Sequence, residues 1–197
     1  MNNYKKSNSS TFQESFVISM TQEKKNGFYV ELGSADPYLE SNTSLLESEF
    51  GWKGLALEID KNFVEKYNSS NRTNKCINAD ALTFDYLKYF KDNNFPTTID
   101  FLQIDIDGHD DGNCLLALIA LPLLKYRFSV IIIEHDLSQN YKRASMRDAQ
   151  REILSSLGYK LIGQTFSEDW WIDPQSIEQE AYRYEIFNGH PYIGATK

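Results

Sequence analysis

Short apolar runs alternate along this chain with segments whose apolar residues recur at helical spacing. Residues 28–32, 54–59 and 130–133 are mostly apolar, and 99–105 carries Ile99, Phe101, Leu102 and Ile104. Such runs read as strands buried on both faces, the pattern of a parallel sheet between helical layers. Residues 75–77 make a weaker third strand. Between the strands lie a helix starting near Ser41–Ser44, a short one around Phe63, Val64 and Tyr67, and one presenting Phe84, Leu87 and Phe90 on a common face. An apolar helix follows over 113–121, stopped by Pro122, and a well-patterned one carries Met146, Ile153 and Leu157 before Gly158. Ahead of the first strand, Phe12, Phe16, Val17 and Met20 predict a short helix, either packed on the sheet, the commoner outcome, or lying over the ligand pocket. Residues 159–163 and 170–172 are two further strands whose connection is short enough only for an antiparallel pair. The pattern predicts an α/β fold: seven strands, mostly parallel, the last reversed, with helices on both faces.

The strand ends carry the chemistry. The first strand runs into Glu31-Leu32-Gly33-Ser34, the second ends in Glu58, the third is followed by Asp80, and the fourth ends in Asp105. In a doubly wound sheet the ligand lies at these carboxyl ends, and an acid after the second strand holds the ribose hydroxyls of a nucleotide-like cofactor. Gly33 gives a tight turn where a side chain would obstruct the ligand. A dinucleotide fingerprint needs three glycines, yet the positions after Gly33 hold Ala35 and Tyr38. S-adenosylmethionine, which has a ribose and an adenine but no phosphate, suits this turn better than a nicotinamide dinucleotide. Ser44 and Glu47 have capping-box spacing, and the helix they open would face the cofactor's carboxylate. Asp80 has two readings, as acceptor for the adenine amine or as N-cap of the next helix.

Composition narrows the partners. The 197 residues suit one domain with a single large core, with 1–11 a polar tail whose first ten residues should fray and 174–197 an extension without clear period. A formal charge of −8 disfavours nucleic acid and anionic membranes, whose affinity comes from Lys and Arg. Cys76 and Cys114 are isolated and read as reduced core thiols. With neither a membrane-length apolar run nor a signal-peptide centre, the expectation is a cytosolic chain.

Six segments in order and spacing, GFYVELGSADPYLESNT, GWKGLALEID, IDFLQIDIDGHD, VIIIEHD, LGYKLIG and EDWW, resemble the FkbM family of S-adenosylmethionine-dependent methyltransferases over residues 28–173. The resemblance implies a Rossmann-like class I methyltransferase fold and methyl transfer to a hydroxyl, often on a sugar or other small molecule. By position it implies that Gly33 and its neighbours Glu31 and Ser34 cradle the methionine part, Glu58 the ribose and Asp80 the adenine side. Asp105 would close the pocket near the methyl group. The chain departs from the family pattern at Glu31, where Asp is common, at Pro37, where Gly is, at Asp107, where Glu is, and in reading EHD for EHN.

A hydroxyl acceptor must lose its proton. His109, four residues past Asp105, is the candidate general base, with Asp107 or Asp110 to hold its tautomer. The alternative is that His109 caps a helix or faces solvent. Asp105, Glu134 and His135 would offer a mixed oxygen and nitrogen set for Mg²⁺ or Mn²⁺, or else cap loops. Trp170 and Trp171 could stack on a sugar, although neighbours on a strand point oppositely and at least one should be core. Two other classes compete: a non-catalytic module that binds S-adenosylmethionine or a protein partner, and a nicotinamide oxidoreductase, disfavoured by the missing glycines.

Overall fold

A computed structural model describes residues 8–106, 112–135 and 143–178. In chain order the elements are α1 (Gln13–Met20), β1 (Phe28–Leu32), α2 (Ser44–Phe50), β2 (Lys53–Glu58), α3 (Lys61–Asn68), β3 (Cys76–Asn78) and α4 (Tyr86–Asp92). β4 (Thr98–Ile104), α5 (Asn113–Ala120), β5 (Arg127–Glu134), α6 (Ala144–Ser156), β6 (Lys160–Gln164) and β7 (Glu168–Ile172) complete the fold. One seven-stranded sheet has the order β3-β2-β1-β4-β5-β7-β6. β1 to β5 pair in parallel, and β7 runs antiparallel to both β5 and β6.

Alternation along the strands divides the core. Val30, Leu32, Leu102, Ile104, Ile131, Ile133 and Trp171 face the layer that contains Tyr86 and Phe90 of α4, Leu118 of α5 and Leu154 of α6. Tyr29, Phe101, Val130, Ile132 and Trp170 face the opposite layer, with Phe16 and Val17 of α1 and Leu46 of α2. Both tryptophans are therefore core, on opposite faces, and neither is left to stack on an acceptor. Cys76 and Cys114 are buried free thiols. No described helix is long and apolar enough to cross a membrane.

Three local readings change. α1 packs on the sheet, but Phe12 precedes it in a left-handed conformation and is exposed, while Gln13 and Glu14 are buried. Their side chains have distant partners: Gln13 donates to Glu168, and Glu14 accepts from the Leu45 N–H. The described part of the expected tail is tied to the same layer, since Asn8 bonds Glu14 and Ser44 and Thr11 bonds Glu168. α4 starts later than the apolar pattern suggested. Asp85 caps it by accepting from the Lys88 N–H, so Tyr86 and Phe90 turn inward while Leu87 is exposed. Phe84, ahead of the helix, packs on the rings of Tyr86 and Tyr89.

Candidate functional site

β1 lies between β2 and β4, so the chain leaves it toward one side of the sheet and later returns on the other. Connections diverge at such a switch point, and the carboxyl ends of the strands border an open crevice. A cleft of about 620 Å³ occupies this position, walled by the ends of β1 to β4. Glu31, Gly33, Ser34, Glu58, Asp80 and Asp105 all line it.

The turn after β1 is held by its neighbours. Gly33 and Ser34 N–H groups both donate to Leu57 O, at 3.0 and 3.1 Å. Gly33 has φ +85°, and a Cβ there would lie 1.8 Å from Asp105 O. The obstruction a side chain would cause is thus with the backbone after β4, rather than with a ligand as the sequence suggested. The Ser34 hydroxyl is turned to Cys76 Sγ, at 3.1 Å, and to Leu57 O. Glu58 accepts from the Ala35 N–H at 3.0 Å on one oxygen and from the Asp60 N–H at 2.8 Å on the other. Each oxygen keeps a further lone pair, as bonding to a diol requires. Asp80 closes a turn by accepting from the Leu82 N–H, so it is not the α4 cap, and it remains in the cleft wall.

Glu31 is almost wholly buried and accepts from the Thr43 hydroxyl at 2.8 Å. Burial pushes its carboxyl up to about 7, against the opposing pull of Arg72 and the Thr43 hydrogen bond. Glu47 has the contrary fate. It is not a capping-box residue; burial is outweighed by the Arg72 guanidinium, 2.6 Å away, and its carboxyl is held below the usual range. Arg72 also donates to Pro37 O, Ser41 Oγ and Thr43 Oγ1, and so fixes the loop that lines one side of the cleft. The start of α2 does not offer the free donors expected of it. The Ser44 N–H is directed to Ser41 Oγ and the Leu45 N–H to Glu14.

The cleft is acidic. Among the described residues six carboxylates line it, from Glu31, Asp36, Glu40, Glu58, Asp80 and Asp105, and the one lysine, Lys66, is paired with Asp36. Asp107 and His109 lie outside the described residues. Asp105, Glu134 and His135 do not assemble as a metal set. Asp105 faces the large cleft, whereas Glu134 and His135 line a separate cavity of about 20 Å³. His135 Nε2 is 3.6 Å from Asp169, which also holds Arg151, and no group of three metal-ligating side chains occurs among the described residues.

Arg72, Glu47 and Asn42 are the site residues that sequence reasoning missed. Arg72 sits in a polar stretch with no pattern. Asn42 stands in Ser41-Asn42-Thr43, which reads as a run of helix caps, and only the fold shows that it lines the cleft.

A doubly wound sheet with β7 reversed between β5 and β6, and an acid-ended cleft at its switch point, is a Rossmann-like methyltransferase architecture. The sequence model of the methyltransferase FkbM domain matches residues 10–161, and the chain belongs to that family. No curated protein matches the chain significantly in sequence. Among solved structures, a TehB-like SAM-dependent methyltransferase from Corynebacterium glutamicum is similar at TM-score 0.57 and 9% identity, over 83% of this chain and 88% of that one. Human methyltransferase-like protein 13, solved with SAH, gives TM-score 0.55 and 13% identity over 90% and 84% of the two chains. An O-methyltransferase from Bacillus cereus, also with SAH, gives TM-score 0.54 and 16% identity over 83% and 80%. At these identities the likeness is one of fold.

Proposed function

We propose that the chain transfers a methyl group from S-adenosylmethionine to a hydroxyl of a sugar or other small molecule, in the cytosol. The acidic cleft carries this reading. Its volume is in the range of small-molecule sites. Its six carboxylates and one paired lysine suit a cofactor bearing a sulfonium and an ammonium, and oppose one bearing a pyrophosphate. They also disfavour a nucleic-acid acceptor.

The donor set fits the cofactor. Glu58 would hold the ribose hydroxyls, Asp80 and the backbone beside it the adenine side, and Glu31 with the Gly33–Ser34 turn the methionine part. Bound there, S-adenosylmethionine supplies an electrophilic methyl group on sulfur. The protein's part is to align the acceptor oxygen in line with that methyl near Asp105 and to remove the acceptor's proton. His109 is assigned as the base and Asp107 as the residue that holds its tautomer.

Calorimetric titration with S-adenosylmethionine, S-adenosylhomocysteine and NAD tests the cofactor. The first two should bind and NAD should not, and Glu58→Ala should weaken binding roughly tenfold or more, the worth of hydrogen bonds to a charged group. Binding of NAD, or of none of the three, would refute the reading. With a hydroxylated acceptor in hand, His109→Ala should abolish turnover at nearly unchanged cofactor affinity; full activity would remove His109 from the mechanism.

A further inference from the structure

The methionine end of the cofactor is a zwitterion, and the charged and helix-terminal donors among the described residues near it are already engaged. The first N–H groups of α2 are engaged by Ser41 and Glu14. Lys66 is paired with Asp36. The Arg72 guanidinium nitrogens Nη1 and Nη2 are spent on Pro37, Ser41, Thr43 and Glu47. Among the described side chains at this end of the cleft, an amide remains uncommitted. Asn42 lines the cleft and is 6% exposed, yet its Oδ1 is enclosed with no hydrogen-bond partner. Nor does its Nδ2 hydrogen-bond to any described residue.

An amide whose oxygen is enclosed without a partner costs free energy comparable to a lost hydrogen bond, while its Nδ2, which is not sealed in, is free to donate to a ligand. Asn42 sits at the β1 side of the cleft, next to Thr43, whose hydroxyl donates to Glu31. Glu58 and Asp80, at the ends of β2 and after β3, mark the ribose and adenine side. The position therefore corresponds to the amino-acid end. An amide matches a zwitterion there: its N–H donates to a carboxylate and its carbonyl accepts from an ammonium.

We propose that Asn42 is the residue that recognises the amino-acid end of the cofactor, donating to its carboxylate and, with Glu31, accepting from its ammonium. The proposal rests on the S-adenosylmethionine reading and adds a specificity-determining residue to it. It also explains how an acid-lined cleft admits a carboxylate: the donor is a neutral amide, and the adjacent ammonium screens the negative charge from the wall.

Truncating the ligand separates this role from a structural one. S-adenosylhomocysteine carries the amino-acid end, whereas 5′-methylthioadenosine keeps the adenine, ribose and sulfur and lacks it. Binding of both is measured by calorimetry for wild type, Asn42→Ala and Asn42→Asp. Asn42→Ala should weaken S-adenosylhomocysteine about ten- to hundredfold, the effect of losing hydrogen bonds to charged groups. Methylthioadenosine should change by less than about twofold on the same grounds. Asn42→Asp keeps the shape, so it serves even if the alanine variant does not fold. It sets a carboxylate against the ligand's own and should lose S-adenosylhomocysteine at least as severely. Unchanged affinity for S-adenosylhomocysteine, or equal loss of both ligands, overturns the assignment. Failure of wild type to bind either ligand would instead overturn the cofactor reading, and this assignment with it.

Discussion

Replacing Arg72 by methionine should destabilise the protein by about 3 kcal/mol at pH 7, the low end of the 3–5 kcal/mol lost when one partner of a buried ion pair is removed. The pair is nearly sealed from solvent, at 2% side-chain exposure for Arg72 and 3% for Glu47. Methionine fills most of the volume, so the loss is chiefly the stranded Glu47 carboxylate. The low end is expected because Glu47 keeps other donors, the Tyr29 hydroxyl and the Thr73 N–H at 2.9 Å. Glu47→Gln and the double variant complete a cycle, in which the double should lose at least about 1 kcal/mol less than the sum of the singles. pH supplies an independent check. In wild type the depressed Glu47 carboxyl contributes stability that is complete above its unfolded value and is lost as pH falls through the folded one. In Arg72→Met the stranded carboxyl gains its proton more readily, so that variant should become less impaired between pH 7 and pH 5. Urea unfolding followed by fluorescence of the buried Trp52, Trp170 and Trp171 reads both effects. A loss below about 1 kcal/mol at pH 7, with unchanged denaturant dependence, would refute the view that this pair holds the loop in place.

Glu31→Gln should stabilise the ligand-free protein at pH 8 by about 2–3 kcal/mol and leave it almost unchanged at pH 4, because the folded carboxyl holds its proton to about 7 and wild type loses stability as pH rises through that range. Thermal melts at the two pH values check the sign, and a stabilisation confined to acid pH would reverse the argument. Gly158→Ala should cost about 1–2 kcal/mol, the scale of left-handed strain, and Gly33→Ala should cost more because it adds a clash to the same strain. Both glycines have φ near +85°, but a Cβ at 33 meets Asp105 O while one at 158 meets nothing within 4 Å. Equal melting temperatures for the two variants would show that β1 and the backbone after β4 do not approach as described.

The parallel strands were legible because they are buried on both faces: Val30, Leu102 and Ile131 pack on one layer and Tyr29, Phe101 and Val130 on the other, which leaves no alternation to confuse with a helix. Their acidic ends were legible for the same reason, since Glu31 and Glu58 interrupt otherwise apolar runs. The reversed β7 followed from the short span between Gly163 and Trp170. What the sequence hid are pairings between residues far apart along it. Gln13 and Glu14 look like the solvated face of α1, and only their meeting with Glu168 and the α2 backbone accounts for their burial. Gly33 reads as a turn that a side chain would close to a ligand, whereas the atom a Cβ would meet is Asp105 O, far along the chain. Asn42 looked like a cap because Ser and Thr flank it. A side chain without partners leaves no trace in a pattern of apolar spacing.

The contrast between Glu31 and Glu47 joins these observations. Both acids belong to the buried layer between β1 and α2, and one arginine serves that layer. Arg72 reaches Glu47 directly but Glu31 only through Thr43, whose hydroxyl accepts from the guanidinium and donates to the carboxylate. Glu47 is thereby satisfied inside the fold and does structural work. Glu31, turned to the cleft, keeps a carboxyl that burial drives toward neutrality and that no described cation neutralises directly. A ligand that brings an ammonium would supply the missing charge, lower the Glu31 carboxyl and recover stability that the empty site lacks. Binding should then be coupled to proton release from Glu31 near pH 7, where the fold alone holds that proton in balance.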